Sequence, residues 1–518
     1  MKAVNNLLIA IISFCWGSCM RPAPADIEQI IAATSNKKEL IKLISHYQQP
    51  NDSLKLKAAY FLIRNMDDQF HLAGESVQES RRIFNQMDSL NKLGKGSARK
   101  IWDSLTASLG QRVTTTPDTI KDIDIITCEL LVDNIDNAFN AWNYPWARRL
   151  NFDDFCKYIL PYKLKNESPE SWRVNMMQRY AWVLKTVKDS GSLIEAASLI
   201  NNDIRKWFYI TPKFNCVGDP NCGELLKLKA GQCIQAAQLA AYAMRAMGIP
   251  VTLDYTPFWA NKSGRHDWNS LISPLGDITF MGGESDPGFE KVEDPGYNYL
   301  GATQMKRKRA KIYRYSFEKV TDTINARQVA DVPVFFQDHH HEDVTDRVIP
   351  VSTITLTLDT ILPQQGLAYL CVFNNKQWEP VQWGKTGADK KVSFATLGRD
   401  VVYLPMIYRN NEYWPAADPL ILHRNGTVRT LHANLQQCRE IIIVKKYPED
   451  QSNNIIPGYN YELYYWNKEW ISLGKQMATK DYLVFDHVPE NALLFIRNLD
   501  AGFQERIFTF ENKQQIWW

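Results

Sequence analysis

The chain has 518 residues, 45% of them apolar and 12% aromatic. That is enough to bury several cores, in about three or four domains of the usual ~100 to 200 residues. Its 60 basic and 57 acidic residues are interspersed and leave a net charge of only +3, so nothing in the charge suggests a nucleic-acid footprint. The one dense basic run, MKRKRAK at Met305 to Lys311, reads as a solvated surface.

The N-terminus offers Lys2, an apolar stretch from Leu7 to Trp16, and then Gly17 and Ser18 before Cys19. This predicts a secretory signal over residues 1–19, too short to span a membrane in the mature protein. Trp-Gly-Ser-Cys resembles a bacterial lipoprotein signal, in which the cysteine becomes the lipidated first residue. Trp16 departs from the usual leucine there, and Cys15 is a second cysteine nearby. The expectation is a cell-envelope protein anchored to the membrane by lipid on Cys19, in the periplasm or at the outer-membrane surface; simple cleavage is the alternative.

From about Ala25 to Ile210, apolar residues recur every three or four positions, as in LKLKAAYFLIRNM and LIEAASLINNDIRKWF. An irregular helical domain over 25–205 follows, broken at QQPNDS, VTTTPDT and KNESPES, where Pro, Asn and Ser cluster. Nine cysteines do not make a disulfide scaffold. Only Cys216 and Cys222, in NCVGDPNC, are spaced to close a short loop, as a bridge or as two free thiols.

The run GQCIQAAQLAAYAMRAMGIPV, 231–251, predicts a helix beginning at Cys233 and stopped by Gly248 with Pro250 beyond. At such a start the unpaired backbone N–H groups and the helix dipole favour an anion. They would lower a thiol pKa and help hold a tetrahedral oxyanion, making Cys233 a candidate nucleophile. A buried thiol packed under a core helix is the plainer alternative. Short β-rich runs follow, IPVTLDYTPFW, HDWNSLISP, DITFM and AKIYRYSF, predicting an antiparallel sheet and an α+β unit over 206–325. His266, 33 residues after Cys233 and the only histidine between His71 and His339, stands at the start of one strand as the candidate base. Trp259 and Trp268 are expected beside the cleft, either one lining a substrate groove.

Gly231-Gln232-Cys233, the helix ending in Arg245 and running into Gly248-Ile249-Pro250-Val251, and His266-Asp267-Trp268-Asn269 together resemble the transglutaminase-like superfamily, a branch of the papain-like thiol fold. The resemblance covers about Leu225 to Glu290. It implies a Cys-bearing helix followed by an antiparallel sheet, with Cys233 as nucleophile, His266 as base, and an acid on the next strand orienting the imidazole. No metal or organic cofactor is required. The chain departs from the family at the acid, because DITFMGGES lacks the Val-Asp or Ile-Asp that commonly ends this strand. A three-residue loop at Pro274, Leu275 and Gly276 would set Glu284 opposite His266, and would leave Asp277 roughly 23 Å along the strand at ~3.3 Å per residue. Other loop lengths would bring Gly283 or Ser285 opposite, with Asp286 or a more distant Asn or Asp as the partner.

His339, His340 and His341 with Glu342 and Asp343 invite a metal reading, but neighbours on an extended strand point to opposite faces, so a polar connector is expected. Beyond about Ala330 the pattern is strand after strand. YLCVFNNKQW at 369–378 repeats as YELYYWNKEW at 461–470, predicting two tandem β-sandwiches over 335–430 and 431–518. Their tryptophans would present a glycan or peptide surface or fill the cores.

The whole reads as a multidomain α+β protein: an exported thiol-dependent acyl-transfer enzyme, peptidase or amidase, acting on a peptide, protein or glycopeptide through a Cys233 acyl-enzyme. The competing reading is a catalytically silent thiol-fold scaffold on a lipoprotein whose sandwiches bind glycan or protein.

Overall fold

The computed structural model describes residues 22–91, 116–211, 214–287, 307–320, 332–359, 366–387, 389–444, 455–501 and 506–518. The expected leader and Cys19 lie outside these residues. Among them no helix is long and apolar enough to cross a membrane.

The N-terminal region is built from helices such as Ala25–Ala33, Lys37–His46, Ser53–Met66 and Cys128–Trp142. Ser53–Met66 buries Ala58, Ala59, Leu62, Ile63 and Met66, the three-to-four spacing that turns one helix face into a core. The region also holds a two-stranded element, Phe70–Ala73 paired antiparallel with Asp118–Lys121. Beside it the fully buried Asp122 is held by His71 at 3.0 Å, Tyr162 at 2.8 Å and Lys163 at 2.7 Å.

Helix Leu193–Trp207, expected to close the helical domain, shares a core with the cysteine helix. Its Ala196, Ala197, Ile200 and Ile204 pack in one cluster with Ala236, Ala240, Leu253 and Phe280. The cysteine helix spans Cys233–Ala246, and every residue from Ile234 onward in it is buried. Small alanines let its neighbours approach closely on all sides. Gly248, at φ +68°, ends it as anticipated, and a Cβ there would lie 2.2 Å from the Ala141 carbonyl oxygen. Next comes a five-stranded antiparallel sheet in the order Ile278–Phe280, His266–Leu271, Val251–Thr256, Tyr313–Tyr315, His341–Asp343. Asn269 pins helix to sheet by donating to the Ala237 carbonyl at 3.0 Å and the Thr252 carbonyl at 3.1 Å.

The C-terminal strands form the same pattern twice. Val351–Thr357 pairs with Lys391–Gly398 and covers a sheet centred on Leu367–Asn374, enclosing Ile354, Leu370, Val372, Phe394 and Tyr403. Asn434–Ile443 pairs with Leu483–Glu490 over a sheet centred on Asn460–Trp466, enclosing Ile441, Ile443, Leu463, Phe485 and Ile496. In the first unit Asn375 and Lys376, at φ 46° and 69°, make the two-residue turn that suits a twisted hairpin. Trp378, Trp466 and Trp518 sit in an apolar cluster that draws on both units, so their role is packing.

Candidate active site

Three features place Cys233. Gly231 lies in a short parallel pairing with Tyr209–Ile210, where a Cβ would fall 2.5 Å from Gln235 Cβ; only glycine fits so close to the first helical turn. Gln232 and Gln235 cap the helix start reciprocally, side chain to backbone. The half-buried Cys233 then packs against Trp268, Met281, Ile312 and Val344, and the backbone N–H groups of Asp267 and Ile234 point at its sulfur. Asp267 directly follows His266, so the strand carrying the histidine runs against the sulfur.

His266 opens its strand and stacks on Trp259, with ring centroids 5.8 Å apart, while the Trp268 ring lies 6.1 Å away. Trp268 is 0% exposed. In the free protein it packs against Cys233 and lies near the His266 ring, as a support for both. Trp259 is nearly as buried, and its visible role is as a platform for the imidazole.

The expected hairpin register is off by one. The ladder pairs Asn269 with Phe280 and Leu271 with Ile278, which projects Gly283 rather than Glu284 toward His266, and the strand ends at Phe280 before reaching it. Chain reversal begins at Met281, whose carbonyl accepts from both Glu284 and Ser285 N–H at 3.0 Å. Gly283 N–H donates to Asn201 Oδ1, the Ser285 hydroxyl accepts from Met281 N–H at 3.0 Å, and Asp286 accepts from Asn202 at 3.0 Å. Glu284 thus sits on a turn, where its charge reaches Cys233. Asp277 is committed to Arg314 at 2.7 Å, which it shares with the buried Asp254.

The electrostatics reverse the helix-dipole expectation for the free protein. Burial, with the carboxylates of Asp267 and Glu284 beside it, pushes the Cys233 thiol up to about 12, against the pull of the two N–H groups. Burial lowers His266 to about 4; Asp267 opposes the shift, and the cations Arg307, Lys262 and Arg309 reinforce it. At neutral pH these shifts favour a protonated Cys233 thiol and a neutral His266 imidazole.

Arg307 and Arg309 belong to the basic run that reads as solvated surface, and here the structure corrects the sequence. Met305 and Lys306 lie outside the described residues, but Arg309 is 4% exposed and Lys311 0%. Arg309 bridges to Trp259 and lies 5.8 Å from the Trp268 ring, Lys308 lies 4.4 Å from the Trp518 ring, and Lys311 donates to Asp343 and to the Thr396 hydroxyl. Indole faces, carbonyls and carboxylates replace water around these charges. The histidine run makes polar contacts with the rest of the fold. His340 meets Asp68 at 2.9 Å, and His341 joins Asp338 at 2.8 Å to Tyr255 at 2.6 Å. Among the described residues no group of His, Cys, Asp and Glu is arranged to hold a metal, and Cys216 and Cys222 are free thiols.

Residues 180–277 match the family model of the transglutaminase-like superfamily. No curated protein matches the chain. Among solved structures, red sea bream transglutaminase aligns with 63% of this chain and 70% of its own, at 10% identity and a TM-score of 0.20, a likeness too slight to add to the family match.

Proposed function

From the premise that this chain carries a domain of the transglutaminase-like superfamily, we propose that it is a thiol-dependent hydrolase cleaving a peptide or amide bond. One observation carries the reading. The sulfur of Cys233 lies at the start of a buried helix under two backbone N–H groups, one of them from the residue next to His266. His266 takes the thiol proton as the sulfur adds to the substrate carbonyl carbon. The C–N bond then breaks, the amine leaves with the proton from His266, and a thioester remains on Cys233. Water, deprotonated by the same imidazole, releases the acid and restores the thiol. N–H groups of the first helical turn favour the negative oxygen formed in each half-reaction.

The raised Cys233 thiol and the lowered His266 imidazole favour this general-base route over one that starts from a standing ion pair. An electrophilic amide-mimic probe tests the reading. Labelling abolished in Cys233→Ala and slowed in His266→Ala is expected; labelling of the wild type no faster than that of a free thiol would leave the fold a silent scaffold. Water as the acceptor is tested by adding a primary amine, which must not divert the product.

We further propose export and lipid anchoring at the cell envelope, a reading supported by the apolar run Leu7 to Trp16 ahead of Gly17, Ser18 and Cys19. Metabolic labelling with a fatty acid, lost in Cys19→Ser, is the expected result.

A further inference from the structure

A cavity of about 450 Å³ is not accounted for by chemistry at Cys233. Four aromatic residues, Phe70, Tyr315, Phe317 and Phe335, line it together with polar residues that include Lys163 and Lys165. The Lys163 side chain is 1% exposed. Its ammonium donates to the Phe70 carbonyl at 2.9 Å and to Asp122 at 2.7 Å, which uses two of its three N–H bonds. Lys165, 13% exposed, makes one bond, to Asp219 at 3.1 Å, and stands 5.0 Å from the centre of the Tyr315 ring.

Buried donors require acceptors. The two carboxylates lining the cavity are already engaged, Asp338 by His341 and Asp68 by His340. Lys163 beside Phe70 and Lys165 beside Tyr315 give the wall ammonium N–H next to aromatic residues, the complement of a carboxylate carried on an apolar body. The cavity has a neighbour near the start of the cysteine helix. A second cavity of about 310 Å³ shares Phe70 and Asn166 with it and is lined by Gln232 and Gln235, which flank Cys233 in the chain. Asp219, the partner of Lys165, lines that second cavity.

Resting on the acyl-transfer reading above, we infer that the larger cavity receives the free C-terminal carboxylate and apolar last side chain of a short peptide substrate, anchored by Lys163 and Lys165. The scissile bond then lies near the C-terminus of that peptide.

The test is calorimetric titration of the full chain carrying Cys233→Ala, which prevents turnover, with N-acetylphenylalanine and with N-acetylphenylalaninamide. The acid is expected to bind at least about tenfold more tightly, as a charge-assisted bond warrants, and to lose that preference in Lys165→Met. Lys163→Met would remove the lysine cation from the buried Asp122 and risks unfolding, so Lys165→Met carries the test, with thermal melting as the check on its fold. Equal affinities, no binding of either compound, or a preference that survives Lys165→Met would each overturn the inference. The two readings fail separately. Acid preference without turnover by the wild type counts against hydrolysis alone, whereas equal hydrolysis of free-acid and amide-capped peptides counts against the cavity alone.

Discussion

The rings of Trp259 and His266 lie 5.8 Å apart at their centroids and 26° from parallel, so the imidazole rests on an indole face. That contact fixes the ring and removes it from water, and the lost hydration disfavours the protonated form. Trp259→Ala should let the His266 titration climb from about 4 toward its ordinary 6.5, followed by NMR of the ring protons. Activity should fall about tenfold through lost orientation. A midpoint left unmoved would show that the stack is not what keeps His266 neutral.

The protonation state of Cys233 gives a second prediction. With its thiol pushed up to about 12, mainly by burial, the thiolate fraction at neutral pH is minute and grows with pH. Alkylation of the free protein by iodoacetamide should therefore be slow at pH 7 and rise about tenfold per pH unit toward pH 10. A rate already level below about pH 8 would mean a standing thiolate and would replace the neutral-pair mechanism with an ion-pair one.

Stability should report on the histidine. Because the folded His266 titrates near 4, below its ordinary 6.5, the unfolded chain binds a proton between those values that the folded chain does not. Stability is full above about 6.5 and falls as the pH drops through this window toward 4. Urea unfolding of wild type and His266→Gln at pH 7.5 and pH 4.5 isolates the effect: the wild type should lose more on acidification. Arg307→Gln removes one of the cations that disfavour the imidazolium, so it should shrink the wild-type loss.

The helix and its flanks were legible because each signal is local. Gly231, Cys233, Gly248 and Pro250 mark a start and a stop, and the structure uses the two glycines where a Cβ would collide. The repeated Asn-Lys-x-Trp turns likewise located paired strands in both C-terminal units. The position of Glu284 was not legible, because the strand ends where Gly282 packs against Ala237, residues far apart in sequence, and a Cβ there would lie 2.8 Å from the Ala237 Cα. Nor was the burial of Arg309 and Lys311, since a basic run looks the same in sequence whether it faces water or tryptophans and carboxylates supplied from elsewhere in the chain. The thiol state of Cys233 escaped for a related reason. A dipole is read from the helix alone, but the desolvation that outweighs it comes from Trp268, Met281 and Val344 packed around the sulfur.

Gly231 separates scaffold from chemistry. Its Cβ position is blocked by Gln235 Cβ at 2.5 Å and Gln235 Cγ at 3.0 Å, with Phe208 at 3.3 Å on another side. In Gly231→Ala the added methyl must push away the first turn of the cysteine helix. Gln235 is also half of the cap that holds Gln232, so the cap loosens with it. The loss should be about 1–3 kcal/mol in urea unfolding, typical of overpacking a tight site. Cys233 should at the same time become more reactive toward iodoacetamide, because a displaced sulfur gains water and leaves its apolar contacts. Cys233→Ala, by contrast, should keep wild-type stability to within about 1 kcal/mol while abolishing turnover. A Gly231→Ala protein that unfolds like the wild type and alkylates at the wild-type rate would show that the glycine is not what seats the nucleophile.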